Sequence, residues 1–213
     1  MEIIAHRGLW WPDIRRQNTL EAIPSGMGME LDARLGEFRR VKIQHDLDAP
    51  RGFTVLGEEV CARWPPGQSL FWDVKEPGVC AALDALLCGT VREASILFDY
   101  EFTKDVPPIG LQYLVRASEN EPLEAALRVL GAYGVWLDTW TGRPWVTAEV
   151  IAQVQDAGKR AYIVSPELHH YPLDLALWRS WEEADGICTD YPHLAVQFFA
   201  NAAPLYPDRP WWT

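Results

Sequence analysis

The sequence predicts an α/β chain closed as a (β/α)₈ (TIM) barrel in abridged form, and three observations carry that prediction. Eight short β-rich runs bounded by turn residues recur along the 213 residues. Segments with helical patterning separate most of them, which argues for parallel βα units rather than hairpins. The length falls a little below the roughly 250 residues typical of such barrels, so residues 1–213 are expected to form one domain with some connections cut short.

The runs are Glu2–His6, Met29–Leu35, Ser69–Lys75, Ser95–Tyr100, Leu111–Ala117, Gly134–Thr139, Arg160–Ser165 and Gly186–Asp190. Arg39–His45 follows Gly36-Glu37 so closely that it reads as a hairpin extension of the second run. Helical patterning falls on Val79–Cys88, Leu123–Leu130, Thr147–Asp156, Leu173–Ala184 and Pro192–Ala202. Between Asn18 and Gly28 the chain holds Pro24 and two glycines, so the first helix is expected to be a turn or two. Glu101–Gly110 carries two prolines, which predicts a short fourth helix as well. Leu47–Gln68 reads as a small insertion after the second strand, and the tail Pro204–Thr213 as a segment lying against the surface.

Composition narrows the function classes. An apolar fraction of 48% and a charged fraction of 23% are those of an ordinary globule. Nineteen basic against 30 acidic residues give a net charge of −11, which disfavours nucleic acid as a partner. The same charge repels an anionic substrate unless local positive charge, such as a divalent cation, draws it in. No apolar run approaches the roughly 20 residues of a membrane helix, so no stable membrane insertion is expected. The chain enters a strand at once, leaving no room for a signal peptide, and a cytoplasmic setting follows as an expectation. Cys61, Cys80, Cys88 and Cys188 lie far apart and are expected to be buried reduced thiols. Most of the 11 scattered tryptophans are expected to serve packing.

Active sites of this architecture lie at the C-terminal ends of the strands. His6, Glu30, Asp32, Asp73 and Lys75 all fall near such ends. Glu30 and Asp32 are two apart, so both side chains face one way while Met29 and Leu31 face the other. Carboxylates converging on a barrel interior repel each other unless a cation or proton lies between them. Oxygen-rich clusters of this kind suit Mg²⁺ or Ca²⁺ better than zinc. Asp73 and Lys75 repeat the two-residue spacing, with Trp72 and Val74 turned toward the helix layer; Asp73 is placed to complete the metal site and Lys75 to hold a phosphate oxygen. His6 and His45 each end a strand, and two imidazoles titrating near neutrality can divide proton removal and delivery. His169 and His170, in the loop after the seventh run, are weaker candidates for the same mouth. There is no G-x-S-x-G elbow, P-loop or G-x-G-x-x-G string.

His6-Arg7-Gly8, Asn18-Thr19-Leu20-Glu21-Ala22, Glu30-x-Asp32, His45-Asp46, Asp73-x-Lys75 and Thr189-Asp190-Tyr191-Pro192 together resemble, in order and context, the glycerophosphodiester phosphodiesterase family. The resemblance runs from residue 4 to about 192, and strings around Gly134–Asp138 and Ile163–His169 resemble a compact branch of that superfamily. It implies a barrel of the phosphatidylinositol-phospholipase-C-like kind that hydrolyses a small phosphodiester with a divalent cation, Mg²⁺ or Ca²⁺. Carried across, His6 and His45 would be the acid/base pair, Glu30, Asp32 and Asp73 the metal ligands, and Arg7 and Lys75 the phosphate-binding cations. A neighbouring glycerol hydroxyl would attack phosphorus before water opens the cyclic product, releasing an alcohol and a phosphomonoester such as glycerol 3-phosphate. The chain departs from the pattern at Gln17 and Asp73, where the family usually has Glu, and in its shrunken insertion. The alternatives are a barrel that kept the phosphate pocket but lost turnover, now binding a phosphorylated metabolite, and a metal-dependent lyase or hydrolase acting on another anion.

Overall fold

A computed structural model describes residues 1–46, 55–99, 107 and 109–201. In chain order the strands are β1 (Glu2–His6), β2 (Gly28–Leu35), β3 (Val41–Ile43), β4 (Val55–Leu56), β5 (Leu70–Val74), β6 (Ser95–Phe98), β7 (Gln112–Ala117), β8 (Gly134–Leu137), β9 (Arg160–Val164) and β10 (Gly186–Thr189). Eight of them pair in parallel in the order β1-β10-β9-β8-β7-β6-β5-β2, and β1 also pairs with β2. The sheet therefore closes into the predicted α/β barrel. β3 and β4 extend it as an antiparallel flap on the protruding end of β2.

Strand alternation separates two apolar layers. Ile4, Phe71, Phe98, Leu114, Trp136 and Tyr162 point into the barrel and fill its lumen, with Phe98 and Trp136 stacked at 4.4 Å between ring centroids. Leu31, Trp72, Val74, Leu97, Val115 and Ile163 point outward against the helices. The same alternation sends His6 to the lumen side with Ile4, and Glu30 and Asp32 to the side opposite Leu31. Aromatic packing thus floors the barrel, and its polar groups gather above that floor at the C-terminal mouth.

The helices are α1 (Gly57–Arg63), α2 (Val79–Leu86), α3 (Gly89–Ala94), α4 (Leu123–Leu127), α5 (Ala148–Asp156), α6 (Leu175–Ser180) and α7 (Pro192–Asn201). Five of these fall on predicted helical segments. Residues 18–28 hold only a single 3₁₀ turn, Leu20–Ala22, as the proline and glycines predict. Neither α1 nor α3 is expected from sequence pattern, being short segments that open on glycine. α1 is held from its start by the Glu59 carboxylate, which accepts the Leu56 N–H at 2.9 Å. Most of the fourth connection, the first part of the insertion and the tail lie outside the described residues. Cys80 and Cys188 are buried as expected. Cys61 is half-buried and Cys88 exposed, a departure that follows from their places on the short surface helix α1 and just before α3.

Candidate active site at the barrel mouth

Strand register brings the predicted residues together. His6 stands opposite Glu30 across β1 and β2, and Asp32 stands opposite Asp73 across β2 and β5. Glu30, Asp32 and Asp73 are 2%, 1% and 7% exposed. Each offers a carboxylate oxygen within 4.8 Å of the other two. Three acids distant in sequence therefore share one pocket because parallel pairing fixes their heights along neighbouring strands.

Two cations and an amide brace the cluster. After β1 the chain turns through Arg7 (φ 54°) and Gly8 (φ 88°), which aims the Arg7 N–H at Glu30 Oε2, 3.1 Å away. Only glycine fits at position 8, where a Cβ would lie 2.6 Å from the Ala22 carbonyl oxygen. Arg7 Nε approaches Asp32 Oδ2 to 3.0 Å, and Lys75 Nζ approaches Asp32 Oδ1 to 3.1 Å while also pairing with Asp73. Asn18 donates its Nδ2–H to Asp32 at 2.8 Å and accepts the Asp32 N–H at 3.3 Å. Its left-handed backbone (φ 57°), a conformation Asn tolerates better than most residues, lets it make both bonds. Asn18 enters the sequence reading only as part of the Asn-Thr string, with no role; its position in a tight turn near Gly28 is the signal that was there.

The electrostatics follow from this crowding. Burial opposes ionisation at Asp32, but Lys75, Arg7, His45 and the Asn18 hydrogen bond outweigh it and hold the carboxyl down at about 2. Burial, with Asp32 and Asp73 nearby, pushes Glu30 well above the ordinary carboxylate range. Burial likewise lifts Asp73 to about 7, with Asp99 and Asp32 adding to the effect against the pull of Lys75. Burial opposes the charge on Lys75, yet its acidic neighbours raise it overall. The site thus holds more carboxylate than its own cations neutralise. Asp73 Oδ1 is also buried without a hydrogen-bond partner among the described residues. An all-oxygen donor set, an unpartnered buried acceptor and surplus negative charge fit a hard divalent cation.

His6 hangs beside this cluster, with its side chain 12% exposed. Its Nδ1 lies 2.7 Å from Asp190 Oδ1, and its Nε2 lies 3.9 Å from Glu30 Oε2. Burial pushes the imidazole below its ordinary value despite Asp190, favouring the neutral ring. With Nδ1–H donated to Asp190, the lone pair on Nε2 faces the carboxylates and can accept a proton. Asp190 is the second group that sequence reasoning left without a role. It follows β10, the strand beside β1, and the barrel closure that joins first strand to last brings it to His6.

His45 approaches the group from its solvent edge, near enough for its charge to act on Asp32. Its side chain is 44% exposed, and its Nδ1 pairs with the neighbouring Asp46 at 2.7 Å. The antiparallel flap carries the chain past the barrel rim after Ile43, which leaves His45 on the solvent edge of the metal side. His169 pairs with Asp138 at 2.7 Å at another part of the mouth, whereas His170 is exposed in a left-handed turn (φ 66°).

No family model and no curated protein matches the chain. Solved structures do. A glycerophosphodiester phosphodiesterase from Thermotoga maritima is 21% identical, with 92% of this chain and 96% of that one covered at a TM-score of 0.68. One from Agrobacterium tumefaciens is 17% identical over 94% of this chain and 100% of that one, at 0.63. A phosphodiesterase from Oleispira antarctica, in complex with the product sn-glycerol-3-phosphate, is 14% identical over 94% and 97%, at 0.68. Over nearly its whole length, this chain shares its barrel fold with those phosphodiesterases.

Proposed function

We propose that the protein is a metal-dependent phosphoric diester hydrolase of the glycerophosphodiester phosphodiesterase family. Its proposed substrate is a small soluble diester, and its product a phosphomonoester such as glycerol 3-phosphate. The observation that carries this reading is the buried Glu30-Asp32-Asp73 cluster beside the His6–Asp190 pair. The likeness of fold to enzymes of that name, one of them bound to glycerol 3-phosphate, supports it.

Glu30, Asp32 and Asp73 would hold the cation, Mg²⁺ or Ca²⁺. When bound, that ion supplies positive charge against phosphoryl oxygens as negative charge builds on them. Arg7 and Lys75, already drawn to Asp32, would turn part of their charge to the substrate phosphate. His6 takes a proton at Nε2 from the attacking hydroxyl, and Asp190 holds the ring and stabilises the imidazolium that forms. His45 is the expected second imidazole of the pair. The proposed setting is the cytoplasm, and no described helix is long and apolar enough to cross a membrane.

Release of choline from glycerophosphocholine, followed with Mg²⁺, with Ca²⁺ and with EDTA, tests the reading. Metal-stimulated turnover that His6→Ala abolishes is expected; turnover indifferent to EDTA or to His6→Ala counts decisively against it. One observation favours the second reading, a barrel that binds a phosphorylated metabolite without turnover. The Lys75 ammonium lies between Asp32 and Asp73, as a built-in counter-ion would. Calorimetry showing tight glycerol phosphate binding without hydrolysis of any diester would select that alternative.

A further inference from the structure

Backbone, rather than the contacts of its own ring, brings His45 to the mouth. Its Nδ1 bonds to Asp46, whose side chain is 79% exposed, so that pair by itself does not locate the imidazole. The edges of β2 do. One edge belongs to β5, and the other is shared between β1 and β3. On the shared edge β1 pairs as far as Glu30, and the Asn18 side chain takes the Asp32 N–H at 3.3 Å. The Gln44 N–H then reaches the Asp32 carbonyl at 2.9 Å, where β3 comes in antiparallel. β3 therefore runs down toward the end of β1. Asn18, bonded through its own N–H to the Arg7 carbonyl at 2.9 Å, occupies the place where β3 would continue. The chain leaves the edge at His45, one residue past the level of Asp32.

Arg34 decides the face toward which it leaves. Glu30, Asp32 and Arg34 alternate with Leu31 and Ala33, which pack outward, so Arg34 shares the mouth face of β2 with two acids of the cluster. Its Nε donates to the His45 carbonyl at 3.0 Å, and its Nη1 to Glu76 Oε2 at 3.1 Å. Glu76, the residue after Lys75, accepts the Leu35 N–H at 2.6 Å on its other oxygen. The planar guanidinium fixes both of its contacts at once, which a lysine ammonium would not. One partly buried ion pair thus ties three chain ends together. They are the end of β2, which bears Glu30 and Asp32, the end of β5, which bears Asp73 and Lys75, and the turn that bears His45.

We propose that Arg34, braced by Glu76, is a positioning residue for the reaction, holding the His45 backbone over the mouth face of β2 so that the imidazole meets the diester at the acid cluster. The assignment rests on the phosphodiesterase reading and deepens it. Both imidazoles then approach the Glu30-Asp32-Asp73 cluster, His6 from β1 and His45 from the flap, where Arg7 and Lys75 already stand. As the attacking oxygen forms its bond to phosphorus, its proton passes to His6 Nε2. The bond from phosphorus to the leaving oxygen breaks, and that oxygen keeps the electron pair and takes a proton from Nε2 of the His45 imidazolium. Arg34 acts through the place of His45 and does not itself touch the diester.

A double-mutant cycle read on two leaving groups, with Mg²⁺ present, supplies the test. Glycerophosphocholine expels an alkoxide that must be protonated; the p-nitrophenyl ester of glycerol phosphate expels a phenolate that leaves without help. Arg34→Met keeps the apolar stem and removes the fork. It is expected to lower kcat on the choline ester by roughly 10- to 10²-fold with KM little changed, and on the p-nitrophenyl ester by no more than about fivefold. That loss should vanish in a His45→Ala background, because a residue acting through an imidazole has nothing to act on once the ring is gone. Glu76→Gln, which weakens the pair and keeps its shape, is expected to show the same pattern at smaller size, and reads the proposal even where Arg34→Met does not fold. Hydrogen exchange without substrate gives a second readout, in which residues 41–46 exchange faster in the Arg34 and Glu76 variants than in wild type. Equal losses on both esters, a loss undiminished in the His45→Ala background, or unchanged exchange over 41–46 each overturn the assignment and leave the phosphodiesterase reading in place. Wild-type protein inert toward both esters overturns that reading, and this proposal with it.

Discussion

Asp73→Asn separates what the acid cluster does to the empty fold from what it offers a cation. Asn has the shape of the protonated carboxyl and lacks its charge. In the metal-free protein the Asp73 carboxyl titrates at about 7 against an ordinary 3.8, because burial and the nearby Asp99 and Asp32 outweigh Lys75. The folded chain therefore binds this proton more tightly than the unfolded chain. The resulting stabilisation is complete below pH 4, declines as the pH rises toward 7, and is gone above it. At about 1.4 kcal/mol per pH unit of difference, the span is on the order of 4 kcal/mol. Urea denaturation in EDTA at pH 4.5 and pH 8.5 reads it. The variant is expected to be more stable than wild type at pH 8.5 by a few kcal/mol and to differ little at pH 4.5. Millimolar Mg²⁺ or Ca²⁺ closes most of that gap at pH 8.5, since an ion at about a hundred times its Kd adds about 2.7 kcal/mol to the protein that binds it. If the variant is no more stable at pH 8.5 in EDTA, or gains as much from Mg²⁺ as wild type, Asp73 is not a carboxylate held under strain for a cation.

Three further outcomes are expected. Asp190→Asn should lower kcat on glycerophosphocholine by roughly 10²-fold while moving KM little, because it disturbs the His6 tautomer without touching substrate; a loss confined to KM would contradict that role. Glu167 is raised by burial, so the stability it contributes is present at acid pH and lost as the pH rises through its folded value. Glu167→Gln should accordingly flatten the decline in urea midpoint between pH 4 and pH 8, and an unchanged slope refutes the assignment. Trp136→Ala opens the lumen beneath the site where Phe98 and Phe71 pack on the indole, and should cost about 3–5 kcal/mol by urea denaturation.

The barrel was legible because its strands are short apolar runs broken by turn residues, a pattern that local chemistry writes directly into the chain. All eight parallel strands lie on predicted runs, and the flap strand β3 lies inside Arg39–His45. The helices α1 and α3 left weaker traces. Each has only seven or six residues and begins on glycine, so neither repeats an apolar face often enough to register. The acid cluster was legible for a different reason. Two-residue spacing on a strand fixes which side chains share a face, and parallel pairing then carries Asp73 to the height of Asp32.

What local pattern could not supply is the direction of chain beyond a strand end. His6 and His45 look equivalent as strand-terminal histidines, yet one strand ends at the barrel closure and the other in a flap that leaves the rim. Closure sets Asp190 beside His6, whereas the His45 ring is hydrogen-bonded to its exposed neighbour Asp46. Asp138 and His169, separated by 31 positions, meet because they follow β8 and β9, which pair in parallel. An imidazole becomes a poised proton carrier when a buried carboxylate fixes one nitrogen and leaves the other exposed to substrate. That condition depends on which strand ends are neighbours, and neighbouring strand ends are a property of the closed sheet rather than of any run of residues within it.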